Sequence, residues 1–271
     1  DEFGFGFPPR LIGIVKNDAT GKFDIIWGDK DVMSPHTIYS LNWIPLGGFV
    51  RIKGEGGEHA HDADSFAPQP AWRRVKVLGA GVVMNFLLAW VLISGVFFLG
   101  LPQTEYSKNE GALGISLAET ALITYPWYES IWQGAVTTVK VTGTIFVYLG
   151  KMLASLVGGA EKVALDVTGP VGIVYLTKQM TEMGFSYLLW FAALLSINLG
   201  IFNILPIPAL DGGRIFFILI EKLRKGKPVS AQIENRIHQI GFMLLLFLML
   251  LVTVRDFSQF QILDKIRGLF V

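Results

Sequence analysis

Cysteine is absent from all 271 residues, which excludes disulfides, thiolate metal ligands and thiol catalysis and leaves the redox compartment open. Charge is sparse as well: 17% of residues are Asp, Glu, Lys or Arg, against 52% hydrophobic, with a mean hydropathy of +0.49. That balance suits an integral membrane protein with some aqueous structure, not a soluble globule. The net charge of +1 is silent about nucleic acid, but no basic patch interleaved with aromatics occurs, so no nucleic-acid partner is expected. No cleavable signal peptide is visible, because DEFGFGFPPR reads like the middle of a domain. Histidine is scarce: the chain has only His36, His59, His61 and His238.

What is present in quantity is uncharged sequence. No charged residue occurs from Met183 to Leu210, and Asp211 closes that run. Pro206 and Pro208 stand just before it. Neither donates a helix hydrogen bond and each disfavours helix at its preceding residue, so the backbone is expected to unwind there. Unwound backbone at membrane depth survives only where it lines protein or a wet cavity, and an ionisable group at such a break is a functional-site candidate. Gly212 and Gly213 are expected to allow a sharp exit by adopting positive φ.

Two further runs read as transmembrane helices. Val77–Leu101 has 25 uncharged residues, and its Gly79, Ala80 and Gly81 allow close packing. Asn85 inside it is an interhelical hydrogen-bonding group or a packing residue of the core. His238–Val254 is a third span after Phe185–Leu205, short for a bilayer. Trp127–Val157 has helical character, but Lys140 and Lys151 interrupt it, which favours an amphipathic surface helix over a fourth span. Gly158–Asp166 breaks that helix, and Ser258–Val271 reads as a short amphipathic tail.

Residues 1–54 read as β, with runs at Leu11–Lys16, Phe23–Trp27, Thr37–Ile44 and Phe49–Lys53. The last two bracket Pro45-Leu46-Gly47-Gly48, a hairpin signal. The polar loop Gly54–Pro70 contains His59, His61 and Asp62, better read as solvated loop than as a metal site. Lys and Arg cluster at Arg73–Lys76 and Arg214–Lys227, whereas residues 102–182 contain five. Positive residues stay on the cytoplasmic side, so 1–76 and 211–237 are expected there and 102–182 outside.

Asn203-Ile-Leu-Pro206-Ile-Pro208-Ala-Leu210-Asp211-Gly212-Gly213 resembles the N-x-x-P-x-P-x-L-D-G motif of site-2-protease-type intramembrane zinc metalloproteases, in their bacterial regulated-intramembrane-proteolysis branch. The resemblance extends over Asp1–Gly57, Trp72–Leu101 and Gly169–Asp256. It implies that Asp211 is the third zinc ligand and that Asn203 positions substrate or the oxyanion. It implies too that Pro45, Leu46, Gly47, Gly48 and Phe49 form a re-entrant β-hairpin that binds an extended substrate by strand addition. Gly169-Pro170-Val171-Gly172-Ile173 matches a further signature, or is simply a turn before a helix. Bacterial relatives of that family usually carry one or more PDZ domains between the second and third core helices, and about ten polar residues at 102–110 cannot be one. Either the protein lacks a PDZ-like gate, or the gate lies outside these residues.

A zinc protease needs three ligands, an open position for water and a general base. Zincins take two ligands and the base from H-E-x-x-H, whose i, i+4 spacing puts both histidines on one helical face. The chain has no such motif. In the family that helix immediately precedes the segment resembling Asp1–Pro9, so the residues here are expected to begin just after it. Without it they are catalytically incomplete. His238 is read as a satisfied histidine at a helix start in preference to a substitute ligand, and Glu221 as an ion-pairing surface residue.

The expectation is therefore a multi-pass α-helical membrane protein with three transmembrane helices, a surface amphipathic helix and an N-terminal membrane-associated β-sheet with a re-entrant hairpin. Its segments are 1–76 cytoplasmic sheet and loop, 77–101 transmembrane, 102–185 extracytoplasmic, 186–213 transmembrane ending at the Asp211 motif, 214–237 basic cytoplasmic loop and 238–271 transmembrane helix and tail. The resemblance implies a Zn2+ endopeptidase of the bacterial inner membrane, active near the cytoplasmic face, with the lipid bilayer and a transmembrane protein substrate as partners. The alternatives are a non-catalytic membrane binding protein of the same fold and a small transporter using Asp211 as an ion site.

Overall fold

A computed structural model describes residues 2–17, 21–29, 34, 36–54, 62, 65–66, 68–106, 118–156, 168–227 and 229–259. The chain divides into two compact units, Asp1–Arg74 with Ser230–Asn235, and Val75–Val229 with Arg236–Val271.

The first unit holds a sheet of order β2-β1-β3, from β1 (Glu2–Lys16), β2 (Phe23–Trp27) and β3 (Ile38–Arg51). β2 lies where its aromatic and β-branched run predicts, but β1 begins well before Leu11. The expected hairpin, 37–44 closing on 49–53, is built differently. β3 is assigned without a break, and residues 2–5 pair with both of its arms: Phe3 with Tyr39 and Val50, Phe5 with Leu41 and Gly48. Ile12–Lys16 then run antiparallel to β2, with Ile14 opposite Ile25.

Over residues 2–6 and 39–43 burial alternates with the polarity of a soluble sheet reversed. Phe3, Phe5, Tyr39, Leu41 and Trp43 are exposed, while Glu2, Arg10, Ser40 and Asn42 are buried. The buried charges are paired, Arg10 to Glu2 at 2.9 Å, as burial of charge requires. The Asn42 carboxamide donates to the Gly6 carbonyl at 2.9 Å. Val15, Ile26 and Ile38 form a small apolar cluster. Of the His59–Asp62 stretch only Asp62 is described, and it pairs with Lys53 at 2.9 Å; His59 and His61 lie outside the described residues.

Helices make up most of the rest: α1 (Ala71–Leu99), α2 (Trp127–Leu156), α3 (Pro170–Met183), α4 (Phe185–Ile204), α5 (Asp211–Leu223) and α6 (Ala231–Gln259). Three stretches are long and apolar enough to cross a membrane: α1 with 29 residues, α4 with 20 and Gln232–Phe257 of α6 with 26. The third is therefore not short. Glu234 and Arg236 end the apolar run without ending the helix. Residues 214–237, expected as a loop, are helical as far as Leu223 and again from Ala231. The connector after α1 holds an antiparallel ladder, β4 (Leu101–Tyr106) with β5 (Ala118–Ile123), which no β-rich run announces. Residues 157–167 and the tail beyond Gln259 lie outside the described residues.

The helical core lies between α1 and α4. Ala89, Ile93, Ala193, Ile197 and Ile201 are fully buried, at i and i+4 spacings that put each set on one face. Close approach is bought with small residues: a Cβ on Gly200 would sit 3.2 Å from the Phe86 ring. Ser196 donates to the Asn85 main-chain carbonyl at 2.8 Å, so Asn85 does join the two helices, through its backbone. α2 flanks this core with Val141, Ile145 and Leu149, and Trp90 Nε1 donates to the Ile131 carbonyl at 2.9 Å. A Cβ on Gly134 would come within 3.0 Å of Ser94 backbone atoms, while Lys140 and Lys151 remain exposed.

Gly169–Ile173 does open a helix. The α3 N-terminus has no cap from its own side chains, and Asp256 of α6 supplies one: its carboxylate accepts from Gly169 N–H at 3.2 Å and Gly172 N–H at 2.7 Å. Asp256 is 1% exposed. A carboxylate on the positive end of a helix dipole satisfies donors that would otherwise be orphaned. Asp256→Ala should therefore lower stability by about 2 kcal/mol, the range for losing a buried cap and stranding its donors. Thermal unfolding in detergent checks this, and an unchanged midpoint would contradict it.

Candidate functional site

The candidate site forms where α4 gives way to α5. α4 stops at Ile204, and Leu205 is extended, with φ −65° and ψ 143°. Residues 205–210 are not helical. The cause is local: Pro206 and Pro208 have no N–H to continue the ladder. Ile207–Leu210 closes as a turn, with Leu210 N–H donating to the Ile207 carbonyl at 3.2 Å. Pro208 in the second position and φ of +80° at Ala209 in the third are the marks of a type II turn. Glycine usually fills that third position, and Ala209 there costs about 1–2 kcal/mol. α5 then starts at Asp211 itself.

Gly212 and Gly213 are needed for closeness, not for positive φ. Neither is among the glycines of positive φ. A Cβ at Gly212 would run into the Leu205 carbonyl oxygen and lie 2.6 Å from the Ile204 carbonyl, and one at Gly213 would lie 2.5 Å from the Ile207 oxygen. α5 is thus folded directly back onto the end of α4. α6 presses on the same turn: a Cβ at Gly241 would meet Pro208 at 2.5 Å.

Asp211 is half-buried in the first turn of α5. Its negative charge suits the helix N-terminus, by about 0.3–1 kcal/mol. α1 passes it with a bare backbone, because a Cβ on Gly81 would be only 3.8 Å from Asp211 Oδ2. Asn203 is half-buried in the last turn of α4, and among the described residues its carboxamide has no hydrogen-bond partner. The two motif residues therefore stand on either side of one break. Pro45, Leu46, Gly47, Gly48 and Phe49 belong to the first unit, where backbone pairing alone describes them, Gly4 with Phe49 and Phe5 with Gly48.

One contact escaped the sequence reading. His238 lies inside α6, beyond its first turn, and its Nδ1 accepts from Ala209 N–H at 2.9 Å. A lone histidine on an apolar helix carries no signal for a partner 29 residues away.

A carboxylate oxygen is a donor zinc accepts. Among the described residues, however, no three His, Cys, Asp or Glu gather to hold a metal. The residues present suit one position of a zinc site and do not complete it. Gly212→Ala should destabilise the protein by about 1–3 kcal/mol, as overpacking does. Gly143→Ala, with open space around it, should not. Unfolding midpoints of the two variants compare them directly, and equal midpoints would contradict the close approach.

A family model described as Peptidase family M50 matches residues 22–248. The zinc metalloprotease RasP of Bacillus licheniformis is 46% identical over 304 aligned residues, covering 86% of this chain and 69% of that protein. The regulator of sigma-W protease RasP of Bacillus subtilis is 30% identical over 301, covering 86% and 68%. The zinc metalloprotease RasP of Shouchella clausii is 41% identical over 163, covering 59% and 36%. The first two alignments, of 304 and 301 positions, are longer than this chain's 271 residues, so those relatives carry inserted residues that this chain lacks. With the match running from β2 through the α4–α5 break into α6, the chain belongs to peptidase family M50.

Proposed function

We propose that this chain is the membrane core of a zinc metalloendopeptidase that cleaves transmembrane segments of other proteins in regulated intramembrane proteolysis. The observation that carries the reading is Asp211: a carboxylate at a proline-made break between two helices, beside a bare stretch of α1. Zinc, when bound, supplies a Lewis acid and an activated water. Asp211 would be one of its ligands. The sequence holds no H-E-x-x-H, so these residues alone do not hydrolyse a peptide by that chemistry.

The remaining parts serve the substrate. A helical transmembrane segment must be opened before its peptide bond is accessible, and the 48–51 arm of β3, which among the described residues pairs only with residues 2–5, can take an extended strand on its other side. Pro45–Phe49 would present that edge. The Asn203 carboxamide would hydrogen-bond the opened backbone or the developing oxyanion. Exposed Phe3, Phe5, Tyr39, Leu41 and Trp43 over a buried Glu2–Arg10 pair suit a sheet whose outer face meets lipid. The exposed Lys140 and Lys151 of α2 fit an amphipathic helix held at the water boundary. Basic clusters at 73–76 and 214–227 favour a cytoplasmic-side active site in a bacterial inner membrane.

The encoding gene, read upstream of Asp1, tests this first. An in-frame H-E-x-x-H is expected, and an open frame without one would leave a non-catalytic membrane binding protein of the same fold. In the intact protein, Asp211→Ala should abolish cleavage of a transmembrane reporter and lower zinc content, while Asn203→Ala should lower cleavage at unchanged zinc. Full cleavage by the Asp211 variant would sink the proposal.

A further inference from the structure

The α4–α5 turn takes a hydrogen bond from outside, to His238 of α6. Ala209, at φ +80°, has an N–H that takes no backbone acceptor among the described residues. The turn's own bonds run from Ile207 N–H to the Leu205 carbonyl at 2.7 Å and from Leu210 N–H to the Ile207 carbonyl at 3.2 Å. Away from water a backbone donor needs an acceptor, and His238 Nδ1 provides it at 2.9 Å. A ring that accepts at Nδ1 is neutral and carries its proton on Nε2. Nε2 is buried without a partner among the described residues, so the ring is seated by its contacts on the turn and not by a second hydrogen bond.

Those contacts bracket Asp211. The His238 ring stacks at a tilt on Phe217, with centroids 5.8 Å apart, and a Cβ on Gly213 would be 3.3 Å from His238 Cε1. Ala209 lies two residues before Asp211 and Gly213 two residues after. Three residues on from His238 along α6, Gly241 abuts Pro208. One face of α6 therefore touches the turn, the first turn of α5 and the aromatic behind it.

We propose that His238 is a positioning residue: by accepting from Ala209 and packing on Gly213 and Phe217 it fixes the direction in which Asp211 presents its carboxylate. The inference rests on the reading of Asp211 as a zinc ligand. Neighbours that orient a ligand, without touching the metal, are worth about 10–100-fold in metal affinity.

The test compares His238→Asn with His238→Phe in the intact protein in detergent. Asn carries an amide oxygen close to the place of Nδ1, whereas Phe keeps the ring and loses the acceptor. Two quantities are read: hydrogen exchange of the Ala209 amide in metal-free protein, and zinc affinity by competition with a chelator. In the Phe variant exchange should accelerate at least about tenfold and zinc affinity fall about 10–100-fold, and in the Asn variant both should stay within about threefold. Should the Phe variant fail to fold, His238→Gln, whose acceptor lies one bond too far, is expected to behave as Phe would. Unchanged exchange in the Phe or Gln variant would overturn the hydrogen bond. Faster exchange with unchanged zinc affinity would make His238 merely structural and overturn the positioning role. Zinc affinity unchanged in Asp211→Ala would instead fail the ligand reading, and with it the positioning role, while the exchange comparison still reports on the turn.

Discussion

Two prolines without N–H groups, at 206 and 208, are the constraint from which the second unit's active geometry follows. They stop α4 at Ile204, and they do so at the end of a 28-residue uncharged run, where water is not at hand to satisfy a broken ladder. Everything around the break answers that deficit. Leu210 closes a turn onto Ile207, Ala209 donates to His238, and α5 restarts the helical ladder at Asp211. The restart places the carboxylate in the first turn of α5, at the positive end of its dipole.

The same region depends on missing side chains. Gly212 and Gly213 let α5 lie against the carbonyls of Ile204, Leu205 and Ile207, Gly241 lets α6 touch Pro208, and Gly81 leaves α1 bare beside Asp211. Four glycines from three helices thus gather at one break, and Gly81 among them faces the carboxylate. Packing in a membrane has little hydrophobic drive between helices, so close backbone contact of this kind is what remains to hold them. Further out, Gly200 and Gly134 do the same for α4 and α2 against α1, and Asp256 ties α3 to α6 by capping it.

Much of this was legible in the residues, because the strongest signals are compositional. Long uncharged runs marked α1 and α4, the two prolines marked the break, and Phe23–Trp27 marked β2. What escaped the reading depends on distant partners. The hairpin at 45–48 is a local signal, but its arms pair with residues 2–5, which no short-range pattern reveals. β4 and β5 lack a β-rich run and are made by their pairing. α6 extends through Glu234 and Arg236 because charges at a helix end can reach the interface without ending the helix. Glycine at 212 and 213 was attributed to backbone freedom when the cause is an approaching carbonyl, and His238 was legible only as a histidine. The Asp211 motif could be recognised from sequence, whereas the shape that holds it could not.

The central claim is that Asp211 binds zinc directly. These 271 residues have no cysteine, so Asp211→Cys introduces the one thiolate among them. Zinc K-edge X-ray absorption on the intact protein carrying Asp211→Cys reads the ligand itself. The account predicts a single sulfur neighbour at about 2.3 Å, replacing an oxygen at about 2.0–2.2 Å in the wild type. Bound zinc with an unchanged light-atom shell and no sulfur would contradict it.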